Sequence, residues 1–236
     1  MVMRLNLFIA KTGIASRRKA DSLIKEGKVE VNGKGVYQPF FSVQPTDIVK
    51  VSGKQLKIAD NLYVLLHKPR GVTTTLADKF AKKTVIDLLP KQLKSVYPVG
   101  RLDKDSSGLL ILTNDGDLCY RVTHPKFEIE KEYLIKVSGK LSGDGCKRAV
   151  IGVVEQGEHL SVKQATVIKT VGNTTFCRVV VCEGKKRHIR RLFKKLGFVV
   201  LELKRLRIGG LKLGDLPEGK FKVLSSQEII EALFSV

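Results

Sequence analysis

Tyr97-Pro98-Val99-Gly100-Arg101-Leu102-Asp103-Lys104-Asp105-Ser106-Ser107-Gly108-Leu109-Leu110-Ile111-Leu112-Thr113-Asn114-Asp115-Gly116 is the segment from which the architecture of this chain is best approached. Its first half is a polar turn. Residues 109–112 then form an unbroken apolar run, the pattern of a strand buried on both faces of a sheet. A polar turn feeding such a strand holds Arg101 and Asp103 at the edge of a rigid sheet, where loops carry function. An isolated Arg-Leu-Asp is an ordinary turn with a solvated carboxylate, so its place before the buried strand is what singles it out.

The 236 residues suffice for one ordinary domain and a small accessory one. Hydrophobic residues make up 43%, enough for a packed core. Lys and Arg number 43 against 23 Asp and Glu, a formal net charge of +20. That excess suits a polyanion, nucleic acid first. No run of about 18 apolar residues is present to span a bilayer. Asn6 and Lys11 interrupt the short apolar stretch near the N-terminus, which makes a poor signal peptide. A cytoplasmic setting without a membrane partner is expected.

Cys119, Cys146, Cys177 and Cys182 contain no CxxC pair, and His67, His124, His159 and His188 lack zinc-ligand spacing. Cys177 and Cys182, five apart in one strand, point to opposite faces and cannot pair locally. Reduced, mostly buried thiols and no metal are expected.

Residues 1–60 read as a separate small unit. A short apolar-basic helix covers 4–11 and Gly13 closes it. Ser16 is a good N-cap for a second helix over 17–26, with Gly27 just beyond it. Strands are expected at 28–31 and 47–51, and Asn32-Gly33 is a hairpin-type turn at the end of the first. Ala20, Leu23 and Ile24 give the second helix a buried face. Arg17, Arg18 and Lys19 crowd its N-terminus, where the helix dipole disfavours cations, a clash that a bound phosphate relieves. Residues 54–61 read as a polar linker.

Residues 61–236 form the second unit. Strands are expected at 62–66, 109–112, 133–137, 165–171, 176–181, 198–203 and 221–224, and helices at 85–89, 118–123, 143–151, 188–196 and 227–233. Strands outnumber helices without βαβ alternation or a G-x-G-x-x-G loop. The fold class is therefore α+β on a mixed, largely antiparallel sheet. In the 188–196 helix, Ile189, Leu192, Phe193 and Leu196 make an apolar stripe. Arg187, Arg190, Arg191 and Lys194 repeat on a nearly opposite face, where like charges repel, so an external anion is the expected partner. Lys186 extends this basic run. Of the four cations, Arg190 lies nearest the apolar stripe and is best placed to reach inward.

Two resemblances rest on these residues. The Arg-Leu-Asn, Ile-Ala-Ser-Arg-Arg-Lys-Ala-Asp and Gly-Lys-Val-Glu-Val-Asn-Gly segments of the first unit resemble the S4 RNA-binding domain. The second unit resembles ribosomal RNA pseudouridine synthases of the single-site branch. It shares their Gly-Arg-Leu-Asp motif at 100–103 and their Lys-x-Tyr at 131–133. It also shares their Ile-Arg at 189–190 and the Leu-Lys-Arg-Leu-Arg-Ile-Gly segment at 203–209. The resemblance spans the chain with its motifs in order. Its departures are His188, where Gln is common, and Gly210, where Pro is common.

The resemblance implies that Asp103 is the catalytic carboxylate and that Arg101 fills the space left by the flipped base. Tyr133 stacks on that base, Arg190 places its guanidinium against Asp103, and Leu203 packs on the uracil. Arg17, Arg18, Lys19, Lys186, Arg187, Arg191 and Lys194 would contact RNA, while Asp105 would be a turn residue only. The implied reaction turns uridine into pseudouridine without a cofactor, in ribosomal RNA or a ribosomal assembly intermediate, by a monomer. Thr123-His124-Pro125 and residues 130–133 look more like the large-subunit (23S) branch than the small-subunit (16S) one. Two other readings compete with the synthase: a non-catalytic S4-type RNA-binding protein, and a glycosidase-type hydrolase that would need Asp103 and Asp105 about 5–9.5 Å apart across a sugar.

Overall fold

In the computed structural model, which describes residues 2–77 and 82–234, the chain divides into two compact units, Met1–Asn61 and Leu62–Val236. The first carries β1 (Met3–Arg4), α1 (Leu5–Lys11), α2 (Arg17–Lys25), β2 (Val29–Val31) and β3 (Lys34–Gly35). It continues with β4 (Ser42–Val43), β5 (Val49–Val51) and β6 (Lys54–Gln55). The Ser16 hydroxyl accepts the Lys19 backbone N–H at 3.3 Å, which starts α2 at the expected cap. Ala20 and Ile24 of α2 then bury against Leu5 and Ile9 of α1 and the valines of β2 and β5. Asn32 and Gly33 both take positive φ, the conformation a two-residue hairpin turn requires.

One boundary differs from expectation. Lys54 and Gln55 are not linker; they pair with β5, and Leu56 is buried in the small core. Ser52 and Gly53 make the turn, both at positive φ. Ser adopts that conformation rarely, so this hairpin gives little signal in sequence.

The second unit is built on one nine-stranded sheet. Its strands are β7 (Tyr63–Lys68), β8 (Tyr97–Pro98), β9 (Ser107–Thr113), β10 (Lys131–Ser138), β13 (Gln164–Val171), β14 (Thr174–Val181), β15 (Val200–Ile208), β16 (Leu211–Lys212) and β17 (Phe221–Leu224). A small hairpin, β11 (Val153–Glu155) and β12 (Glu158–Leu160), stands apart. The main order is β13-β14-β10-β15-β9-β7-β17, with β16 on β15 and β8 on β9. Every pairing is antiparallel except β15 with β9, which touch in parallel only at Lys204–Ser107 and Arg205–Gly108. The sheet is therefore mixed and largely antiparallel.

Helices cover both faces. On one, α4 (Gly143–Ile151) and α5 (His188–Lys195) pack Cys146, Ala149, Ile189, Leu192 and Phe193 onto Leu110, Leu112 and Ile135. On the other, α3 (Gly116–Thr123) and α6 (Ser226–Phe234) pack Leu118, Val122, Ile229 and Leu233 onto Leu109 and Ile111. The four residues 109–112 thus alternate between two cores, which is why the run has no polar member. The helix expected at 85–89 is a single 3-10 turn, Val85–Leu88. Asp115 caps α3 by accepting from the N–H groups of Asp117 and Leu118.

Candidate active site

Gly108 fixes where the polar turn meets the sheet. It has φ +110°, and a Cβ there would lie 2.2 Å from the Arg205 carbonyl oxygen. Only glycine lets β9 and β15 approach this closely. Immediately before it, residues 101–106 leave the sheet as a loop fastened at each step. The Thr74 hydroxyl donates to the Leu102 carbonyl at 2.7 Å and accepts the Leu102 N–H at 3.3 Å. The Gly71 N–H donates to the Lys104 carbonyl at 2.7 Å, and the Ser106 N–H to the Asp103 carbonyl at 3.0 Å.

Lys68, with no exposed surface, donates to the carbonyls of Ser106 at 2.7 Å and Pro69 at 2.9 Å. Burial pushes its ammonium down to about 8, with the nearby Asp105 and Asp103 carboxylates opposing that shift. Neither Lys68 nor Thr74 is singled out by sequence reasoning. The one available signal is a lysine closing the apolar run Val64-Leu65-Leu66-His67-Lys68.

Two guanidinium groups face the two carboxylates, though not in the expected pairing. Arg190, whose side chain is 10% exposed, lies 3.2 Å from the Asp105 carboxylate and donates to the Asp105 and Val200 carbonyls. Its guanidinium is committed to the backbone of β15 and to the far side of the loop, so the expected Arg190–Asp103 pair is corrected to Arg190–Asp105. Burial lowers the Arg190 pKa, while Asp105 first and then Asp103 raise it against that burial. Arg187 is the cation beside Asp103, with 4.0 Å between Nη1 and Oδ2, and the same nitrogen is 3.7 Å from Asp105. It holds this place because it takes a left-handed backbone, φ 50°, as the residue before α5. Asp105 is accordingly more than a turn residue.

Arg191 also departs from expectation. It pairs with Glu155 and Glu158 of the β11–β12 hairpin and is half-buried there, so it is not a free RNA contact. Lys186 and Lys194 are exposed, as are Arg17, Arg18 and Lys19 in the first unit.

A cavity of about 90 Å³ opens beside Asp103, lined among others by Arg101, Ser106, Tyr133, His188 and Leu203. Tyr133 and Leu203, both 8% exposed, supply apolar wall from the neighbouring strands β10 and β15. Arg205, also buried, donates to the Leu109 carbonyl at 2.7 Å and to the Tyr133 hydroxyl at 3.5 Å, which steadies that ring. A wider basin runs from the same loop over Arg70, Thr73, Lys104, Lys186 and Arg187. Asp103 and Arg101 line both spaces. The arrangement sets Asp103 on the wall of a cavity with mixed polar and apolar lining, Glu183 included, beside a basin rich in cations. Among the described residues no cluster of three or more His, Cys, Asp or Glu is placed to hold a metal. Cys146 and Cys177 sit with their sulfurs 4.0 Å apart in the core, outside the set of residues that line the cavity, and burial raises both thiols. No described helix is long and apolar enough to cross a membrane.

Comparison with known proteins agrees with this geometry. Residues 62–195 match the family described as RNA pseudouridylate synthase, and residues 3–49 match the S4 domain. The ribosomal large subunit pseudouridine synthase B of Bacillus subtilis (strain 168) is 38% identical over 228 residues, covering 96% of this chain and 93% of that protein. The dual-specificity RNA pseudouridine synthase RluF of Shigella flexneri is 35% identical, over 97% of this chain and 78% of that protein. A crystal structure of a pseudouridylate synthase superposes with a TM-score of 0.69 at 28% identity, covering 98% of this chain and 99% of that one. The carboxylate loop, the cavity beside it and these matches together show that the chain belongs to the RNA pseudouridylate synthase family.

Proposed function

We propose that this protein converts a uridine of large-subunit (23S) ribosomal RNA into pseudouridine, with Asp103 as the carboxylate that performs the chemistry. The observation that carries the reading is that Asp103 lies on the wall shared by the cationic basin and the smaller cavity lined by Tyr133 and Leu203. The large-subunit name of the Bacillus subtilis relative supports the choice of RNA.

In the reaction the N1–C1′ bond breaks, the uracil turns, and a C5–C1′ bond forms; C5 loses its hydrogen as a proton and N1 gains one. Asp103 must act while ionised. The Arg187 guanidinium, 4.0 Å away, helps to hold it in place. Asp105 and Arg190 act as a buttress, fixing the loop against β15. The target base has to leave its stack, at a cost of a few kcal/mol offset by phosphate contacts on the basic rim and by stacking inside. Arg101, exposed at the mouth, occupies the vacated place in the RNA, and Tyr133 receives the flipped base on its ring. The first unit supplies docking affinity through Arg17, Arg18 and Lys19.

Asp103→Asn tests this. It keeps shape but removes the negative charge, and neither nucleophilic attack nor proton abstraction survives. Tritium release from 5-³H-uridine rRNA should fall by roughly 10²–10⁴ or more, with RNA binding retained. Pseudouridine mapping in a deletion strain should show one or more sites missing from 23S rRNA, restored by the wild type and not by Asp103→Asn. A missing 16S site would move the substrate to the small subunit, and normal release by Asp103→Asn would remove that residue from the chemistry.

A further inference from the structure

Two residues that line the cavity beside Asp103, His188 and Ser106, carry buried polar atoms that the fold leaves unsatisfied. His188 is 6% exposed, and neither ring nitrogen completes a hydrogen bond. Glu183, on the same cavity wall, and then the Ser161 backbone favour the protonated ring, but neither completes a hydrogen bond with it. Ser106 has no exposed surface, and its hydroxyl also lacks a partner. Both line the cavity with Leu102, Tyr133, Ile189 and Leu203. A buried polar group without a partner is costly, and a folded protein seldom keeps two such residues beside one cavity without use. Burial lowers the His188 pKa, so its ring is neutral at pH 7 and presents one donor and one acceptor. A hydroxyl likewise donates and accepts.

We propose that His188 and Ser106 are the residues that hydrogen-bond the polar edge of the target uracil and hold the ring while it is detached from the sugar.

The inference rests on the synthase reading and adds a specificity device to it. Uracil presents C2=O, N3–H and C4=O in a row, an acceptor–donor–acceptor edge. Exchanging N1 for C5 at the sugar amounts to a half-turn about the N3–C6 axis. That turn swaps the two carbonyls and leaves N3–H in place, so the edge shows the same pattern before and after. Two wall groups that can each donate and accept therefore grip the substrate and the product ring equally. Cytosine, with an amino group at C4 and no hydrogen on N3, breaks the pattern at two of its three positions. A site built to bond a polar edge strongly rejects a ring that leaves its groups unpaired.

The roles separate by experiment. Three measurements are made on His188→Leu, His188→Gln and Ser106→Ala: tritium release in a single turnover at saturating RNA, RNA affinity by filter binding, and thermal melting of the free protein. His188→Leu should lower the single-turnover rate roughly tenfold to a hundredfold while changing RNA affinity less than about threefold. His188→Gln, which keeps a donor and an acceptor, should recover to within about threefold, and Ser106→Ala should show a smaller loss of the same kind. Because the free protein carries the orphan atoms, His188→Leu should melt at or above the wild type, a stability gained where function is lost. Wild-type turnover by His188→Leu, equal loss in His188→Leu and His188→Gln, or a fall of several degrees in the melting of His188→Leu would each overturn the proposal. A wild type that released no tritium from either rRNA would defeat the synthase reading. The melting comparison, which needs no substrate, would still decide whether His188 is an orphan in the free protein.

Discussion

A lysine ammonium buried beneath the Asp103 loop sets the electrostatics of the site from below. Lys68 donates to the Ser106 and Pro69 carbonyls, and burial moves it from 10.5 to about 8. Between those two values the unfolded chain holds a proton that the folded chain has shed, so this group's contribution to stability rises with pH across that window. Lys131, also brought to about 8 by burial, has the same sign, so the wild type alone cannot isolate Lys68. Lys68→Met can. It should cost about 1–3 kcal/mol at pH 7 by orphaning the carbonyls. The melting gap in favour of the wild type should widen from pH 8 to pH 10. Parallel melting curves across that range would mean that Lys68 is not a desolvated ammonium. Asp103, Tyr133 and Leu203, which line one cavity, each sit in a recognisable stretch of chain, so sequence singles them out. Lys68 and the Arg190–Asp105 pair are not singled out, since partners 38 and 85 residues apart are brought together by the sheet order.

Among the strands and helices, the parallel contact between β15 and β9 does the positioning. It is two residue pairs long, and Gly108 makes it possible by leaving room for the Arg205 backbone. Gly108→Ala places a methyl group 2.2 Å from a carbonyl oxygen and forces alanine to φ +110°, so backbone must shift. The expected result is a loss of roughly 3 kcal/mol or more, read as poor soluble yield or a much lower melting temperature. Melting within a couple of degrees of the wild type would show that the strands can part without penalty. The strands themselves are largely readable. The runs at 165–171, 176–181 and 221–224 lie within or on β13, β14 and β17, because alternation and apolar runs are local signals. The pairing of β15 with β9 is not readable, since parallel neighbours are set by long-range packing rather than by a turn. The fate of Arg191 is hidden for a related reason. Its helix shows no acidic partner, and the partners arrive from the β11–β12 hairpin some 33 and 36 residues earlier.

The whole chain carries +20, and both of its units expose cations. The second has its own nine-stranded sheet with a core on each face, so it has what it needs to fold alone. The first has a separate core and exposes Arg17, Arg18 and Lys19 around a helix start that Ser16 caps. Residues 62–236 alone should therefore be soluble and cooperatively folded, and should modify structured rRNA far more slowly than the full chain at low concentration. The deficit should shrink as RNA approaches saturation, because docking enters through affinity and chemistry through Asp103. Each phosphate interaction removed with the first unit should flatten the plot of log K against log salt by about 0.7–0.9. Replacing Arg17, Arg18 and Lys19 by Gln in the full chain should reproduce part of that flattening without changing the saturated rate. If the truncated protein bound rRNA with the affinity and salt slope of the full chain, the docking role would pass from the first unit to the basic rim of the active site, where Lys104, Lys186 and Arg187 remain.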